Sequence, residues 1–157
     1  MKKLKVYLDT SVIGAIFDVE DTERVRVTES LLDKIKHGEY EGYTSNITLA
    51  EINKGPTKLK EHLTQKVRDT KLKILDEDEE CVYLADEYLK EKIIPKTYRD
   101  DARHIGIAVK NQMDVVVSWN YRHMVNLSVR RCVNSVNLRL GYKTIEIVSP
   151  MEVVGYE

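Results

Sequence analysis

The sequence has only two cysteines, Cys81 and Cys132, far apart and without CxxC or Cys/His spacing. That excludes a disulfide framework and a thiolate metal site, and two reduced, buried thiols are expected. No apolar run approaches the roughly 18–20 residues needed to span a bilayer. Met1 to Asp9 reaches a carboxylate after a short apolar stretch and lacks a signal peptide's apolar core and cleavage site. It reads as a first strand, and the chain as cytoplasmic. Repeats, low-complexity tracts and dividing linkers are also missing, so one domain over residues 1–157 is expected. Nor is there a positive balance: the net charge of −1 gives no global argument for nucleic-acid binding.

A local absence points the other way. From Val115 to Ile145 there is no Asp or Glu, while Arg122, Arg130, Arg131, Arg139 and Lys143 all fall there. Phosphate contacts respond to local potential, so a balanced total is compatible with a basic face. Acid concentrates instead in Asp76 to Glu80, where it complements the dipole of a helix first turn and needs no functional explanation.

With 42% hydrophobic and 32% charged residues, the composition is that of an ordinary globular protein. Leu4–Leu8 reads as a strand ending in a polar loop, Asp9-Thr10-Ser11. Apolar spacing predicts a helix over about 22–37, capped by Asp21 or Thr22 and ended by Gly38. A second strand over 40–45 leads to a short helix through Ile47 and Ile52, which Gly55-Pro56 terminates. A charged helix over 58–71, a short strand over 72–75 and a helix from the acidic run to about Lys92 follow. Past Pro95, Ala102, Ile105, Ala108 and Val109 form a helical stripe begun by Asp100 or Asp101. Val115–Ser118 is a fully buried strand, Trp119–Met124 a polar loop, 127–140 a basic helix and 144–148 a last strand. Strands alternating with helices predict an α/β fold with a mainly parallel sheet.

In such sheets ligands bind beyond the carboxyl ends of strands, which singles out Asp9-Thr10-Ser11 and Ser118-Trp119-Asn120. Four positions stand out there and nearby: Asp9, Glu51, Asp101 and Asn120. Glu51 sits among Ile47, Leu49, Ala50 and Ile52, where a solvated position is not obvious. Clustered carboxylates repel unless a cation holds them, and oxygen ligands suit Mg²⁺ or Mn²⁺.

Val6 to Asp18 (VYLDTSVIGAIFD), Thr48 to Ile52 (TLAEI), Asp100 to Val109 (DDARHIGIAV) and Val115 to Met124 (VVVSWNYRHM) resemble, in order and spacing, the four motifs of PIN domains, especially those of VapC-like toxins. The resemblance runs from about residue 4 to 150. It implies a three-layer α/β/α Rossmann-like domain that binds Mg²⁺ or Mn²⁺ and hydrolyses RNA. By position, Asp9, Glu51 and Asp101 match the core acids, with Asp101 preferred over Asp100 because it directly precedes Ala102. Ser11 matches the hydroxyl that supports the first aspartate. Asn120 falls where many members have a fourth acid, two residues after Ser118. Asn keeps a carbonyl oxygen and can still ligate the metal directly or through water, so Asn120 joins the expected catalytic and metal residues, but it removes a charge, which weakens a second metal site. The resemblance also implies a homodimer and a separate antitoxin chain as partner.

One ion or two would activate water for in-line attack on phosphorus and stabilise the leaving oxygen, with Glu51 or Asp101 taking the proton. Arg99, Arg103, Arg122 and His123 flank the motifs as candidates for phosphate contact, and Trp119 and Tyr121 as candidates for base stacking. For Trp119 a core or loop-anchoring role is the other reading. His104 is expected to be a satisfied structural histidine. A receiver domain or an aspartyl-nucleophile phosphatase is a poor match, since Ser11 stands where the phosphatase wants a second acid. The remaining rival is a PIN fold that binds RNA or protein without cutting.

Overall fold

The computed structural model describes residues 2–155; Met1, Tyr156 and Glu157, included in the expected domain, lie outside them. Five strands form the sheet: β1 (Lys5–Leu8), β2 (Glu41–Ser45), β3 (Lys73–Leu75), β4 (Val115–Val117) and β5 (Glu146–Val148). Their order is β3-β2-β1-β4-β5 and every neighbouring pair is parallel. Tyr7 on central β1 is in register with Tyr43 on one side and Val116 on the other.

Among the described residues, eight helices connect and cover the strands: α1 (Thr10–Ala15), α2 (Thr22–Lys36), α3 (Asn46–Asn53), α4 (Thr57–Thr70), α5 (Glu79–Lys90), α6 (Arg99–Lys110), α7 (Leu127–Arg139) and α8 (Pro150–Val154). A short 3-10 turn, Lys96–Tyr98, follows Pro95.

The strict alternation of a strand divides the core in two. Tyr7, Val116 and Ile147 face one apolar cluster with residues of α5, α6 and α7. Val6, Leu8 and Val117 face the other, with residues of α1, α2, α4 and α8. The α3 helix serves both, through Ile47 on one side and Ile52 on the other. This is the three-layer α/β/α arrangement. The apolar stripe expected on α6 is buried, together with His104, Gly106 and Ile107. Close approach of α5 and α6 depends on Gly106, where a Cβ would stand 2.6 Å from the Cys81 carbonyl oxygen.

Several local readings change. Asp9-Thr10-Ser11 is not a loop: Asp9 caps α1 and Thr10 opens it. In α6 the helix begins at Arg99 with Tyr98 at the N-cap, so Asp100 is a first-turn residue rather than the cap. The acidic run does open α5, with Asp78 accepting from the Cys81 N–H and Glu79 and Glu80 in the first turn. The α8 helix was not foreseen, although Pro150 at its start and Glu152 accepting from the Ser149 N–H are ordinary start signals. Of the two thiols, Cys81 is fully buried and Cys132 only partly so; both are free.

Candidate active site

Strand order reverses its direction of growth at β1 and β4, so their carboxyl ends define the switch point where open α/β sheets bind ligands. Asp9 follows β1 directly, and its N–H still donates to the Val117 carbonyl of β4 at 3.3 Å. Both carboxylate oxygens are held: Ser11 Oγ donates to Oδ1 and Ser118 Oγ to Oδ2, each at 2.6 Å. The Val12 N–H adds a contact of 3.3 Å to Oδ1. Asp9 is 3% exposed, and burial pushes its carboxyl above the usual range against the opposing effects of His104 and both serines. The two serines are themselves fixed by backbone donors, Trp119 N–H to Ser11 Oγ and Asn120 N–H to Ser118 Oγ, each at 2.9 Å. The residues after β4 therefore position the acid after β1.

Asp101 lies in the first turn of α6, part-buried. Burial raises its carboxyl to about 6; the Asp9 charge adds to the rise and Glu51 contributes less, while His104 and Asn120 oppose it. Asn120 donates from Nδ2 to Asp101 Oδ2 at 3.1 Å, and its own Oδ1 accepts the His123 N–H at 2.9 Å. That backbone donor requires an oxygen, so the amide presents hydrogens, not its carbonyl, to Asp101. The neighbouring Asp100 is exposed and pairs with Arg103 at 2.8 Å, away from the cluster.

Glu51 comes from α3 with its side chain 32% exposed, and its Oε1 is 3.3 Å from His104 Nε2. His104, one turn past Asp101, is 2% exposed. Its Nδ1 is 2.6 Å from the Tyr7 hydroxyl, which is 2.7 Å from Ser45 Oγ. Tyr7 and Ser45 were not among the expected site residues, and His104 was expected only as a structural histidine. The spacing of His104 three residues after Asp101 was the available signal, because residues three apart share a helix face.

The outer candidates divide. Trp119 is 6% exposed, donates from Nε1 to Thr28 Oγ1 at 2.9 Å and carries Arg24 over its ring, so it anchors the loop rather than presenting an open stacking face. His123 is buried beneath Tyr98, with ring centroids 4.0 Å apart. Arg103 is bound bidentately by Glu77 and Arg99 is paired with Asp86, so neither guanidinium is open to a phosphate without breaking an ion pair. Tyr121 and Arg122 are exposed and directly follow Asn120 in the chain. Ser11 and Asn120 also rim a groove of about 520 Å³ whose other walls include Phe17, Arg24, Leu59 and Trp119.

Among the described residues, no group of three or more His, Cys, Asp or Glu side chains stands close enough to hold a metal ion by itself. The acids nonetheless share one electrostatic field, since Asp9 and Glu51 both raise Asp101. Their all-oxygen chemistry fits a hard cation that keeps several waters, not a closed protein cage.

No curated protein matches the sequence. Two solved structures share the fold. VapBC2 from Rickettsia felis, bound to a DNA fragment from its promoter, has a chain 16% identical with a TM-score of 0.52, covering 93% of this chain and 98% of that one. DNA-bound VapBC from Salmonella typhimurium has one 22% identical with a TM-score of 0.56, covering 94% and 98%. The family model of the PIN domain matches residues 6–123, a span that holds Asp9, Glu51, Asp101 and Asn120, and the chain belongs to the PIN domain family.

Proposed function

We propose that the chain is a Mg²⁺- or Mn²⁺-dependent endoribonuclease, the VapC-like toxin of a type II toxin–antitoxin pair. It acts in the cytoplasm on RNA, as a homodimer, and is restrained by a cognate antitoxin. The observation that supports the nuclease reading is electrostatic: Asp9, which follows β1, and Glu51 of α3 both raise the carboxyl of Asp101 in the first turn of α6. The toxin reading is supported by the likeness to the two VapBC structures. The groove beside the acids, with Phe17 and Leu59 exposed on its walls, is a surface for the antitoxin.

Asp9, Glu51 and Asp101 would hold the cation, with Asn120 beside them. When bound, it supplies a lowered pKa for water and neutralises charge on the leaving oxygen. Ser11 and Ser118 fix both oxygens of Asp9 and oppose the upward shift that its burial causes. Asn120 restrains Asp101 through its amide. In the ion-free chain burial raises Asp101 to about 6; a bound cation would lower it and leave a carboxylate able to take a proton from water. Water oxygen bonds to phosphorus, the bridging oxygen departs, and the proton passes to Asp101 or Glu51. Tyr121 and Arg122, exposed next to Asn120, meet the RNA strand by stacking and charge.

A second reading, a catalytically weak PIN domain that binds RNA or protein, is favoured by Asn120 in place of a fourth acid. Incubating the protein with total and structured RNA, with Mn²⁺, with Mg²⁺ or with chelator, beside Asp9→Asn, separates the two. Cleavage that needs the ion and vanishes in Asp9→Asn supports the nuclease. RNA binding without cleavage in any ion moves the assignment to the binding module.

A further inference from the structure

We infer that His104 is the positioning residue for Glu51, locked in that role by Tyr7 and Ser45; this rests on Glu51 being a cation ligand as proposed above. Glu51 Oε1 lies 3.3 Å from His104 Nε2. An ionised carboxylate is acceptor-only, so Nε2 carries the hydrogen whatever the charge of the ring. Thr10 Oγ1, at 3.4 Å, is the other polar neighbour of that nitrogen. On the far side of the ring, the Tyr7 hydroxyl holds Nδ1 at 2.6 Å and is held in turn by Ser45 Oγ at 2.7 Å. Tyr7 and Ser45 are fully buried, so no water competes for these bonds.

Two features separate this from an ordinary buried histidine satisfied within a core. The nitrogen facing Glu51 ends the chain of buried groups at a carboxylate that is about one-third open to solvent, on the face of α6 that also carries Asp101. And Ser45, at the N-cap of α3, makes no side-chain capping bond to that helix; its Oγ accepts from the Tyr7 hydroxyl instead. A serine at an N-cap normally bonds the helix's own N–H groups. Here the hydroxyl at the start of α3 supports, through Tyr7 and His104, the acid one and a half turns further along the same helix. The chain ties β1, β2, α3 and α6 together at the carboxylate, and engages one of its two oxygens. Groups that orient a ligating carboxylate act on metal affinity, typically by about 10–100-fold.

The test is Mn²⁺ titration of the full-length chain by calorimetry, with wild type, His104→Ala, His104→Gln and Tyr7→Phe, and melting curves for each. His104→Ala is expected to weaken Mn²⁺ binding by about 10–100-fold. Tyr7→Phe, which keeps both His104 and Glu51, weakens it by less. His104→Gln, whose amide still donates to Glu51, recovers much of the affinity. RNA cleavage by His104→Ala is expected to return as Mn²⁺ is raised, with KM for RNA unchanged. Equal Mn²⁺ affinity in wild type and a folded His104→Ala overturns the inference; if the alanine variant does not fold, equal affinity in Tyr7→Phe and His104→Gln does so. Wild-type protein that binds no Mn²⁺ is a different result, and removes the cation-site reading along with this one.

Discussion

Asp101 titrates near 6 because it is part-buried and because Asp9 stands close by. An unfolded aspartate titrates near ~4. The folded chain therefore binds this proton more tightly, and the group's contribution to stability is fully present below about pH 4 and lost as pH rises through about 6. Asp101→Asn removes that dependence. Without metal at pH 7.5 the variant is expected to melt about 2–4 °C above wild type, the size of a change of about 1 kcal/mol in a chain of this length. The difference should vanish near pH 4, and the variant should not cleave RNA. Calorimetric scans at the two pH values check the sign. Asn120→Asp acts oppositely. It replaces the amide that donates to Asp101 with a repelling carboxylate, so the metal-free protein should melt about 2–4 °C lower, with saturating Mn²⁺ closing the gap. The acids were singled out by their joint occurrence in motifs that resemble those of PIN domains, since an Asp after a strand is by itself usually a cap or turn residue. The contact of His104 with Glu51 was not legible, since periodicity reports that a side chain is inward and says nothing of which polar group it meets. Burial of Trp119 and His123, and the pairing of Arg103 with Glu77, depend on long-range partners that no local pattern contains.

At the scale of elements, α6 carries both Asp101 and His104, and its seat against α5 sets where they point. Gly106 permits that seat. Gly106→Ala places a methyl group 2.6 Å from the Cys81 carbonyl oxygen, and backbone cannot move aside as a flexible side chain can. The substitution is expected to destabilise by about 1–3 kcal/mol, and to lower Mn²⁺ affinity more than a surface change of equal stability effect. Urea melts and Mn²⁺ titration measure the two. Most elements follow from apolar period and caps: Asp21 accepts the Arg24 N–H at the start of α2, and Gly38, with φ of 86°, follows its end. The α1 helix escaped because Asp-Thr-Ser is as good a turn as a helix start, and six residues offer too few periods to decide. Its consequence is functional: as the α1 N-cap, Asp9 gains the Val12 N–H and the dipole of that turn.

For the whole molecule, the strand order β3-β2-β1-β4-β5 puts Asp9 at the carboxyl end of the central strand, between the two apolar clusters. None of the described helices is long and apolar enough to cross a membrane. A cation bound only by the folded chain adds stability by mass action, about 2.7 kcal/mol at a hundredfold excess over its Kd. Mn²⁺ is thus expected to raise the melting temperature by about 5–10 °C, and to do so far less in Asp9→Asn. The net charge of −1 was uninformative at this scale, because Arg99, Arg103 and Arg139 are spent on intramolecular acids.

The most direct measurement is calorimetric titration of Mn²⁺ into wild type, Asp9→Asn and Asp101→Asn at pH 7.5. A saturable site in wild type that is lost or weakened at least tenfold in both variants is the expected result. No saturable heat in the folded wild type, or equal binding in all three, would contradict the claim that Asp9 and Asp101 hold a divalent cation.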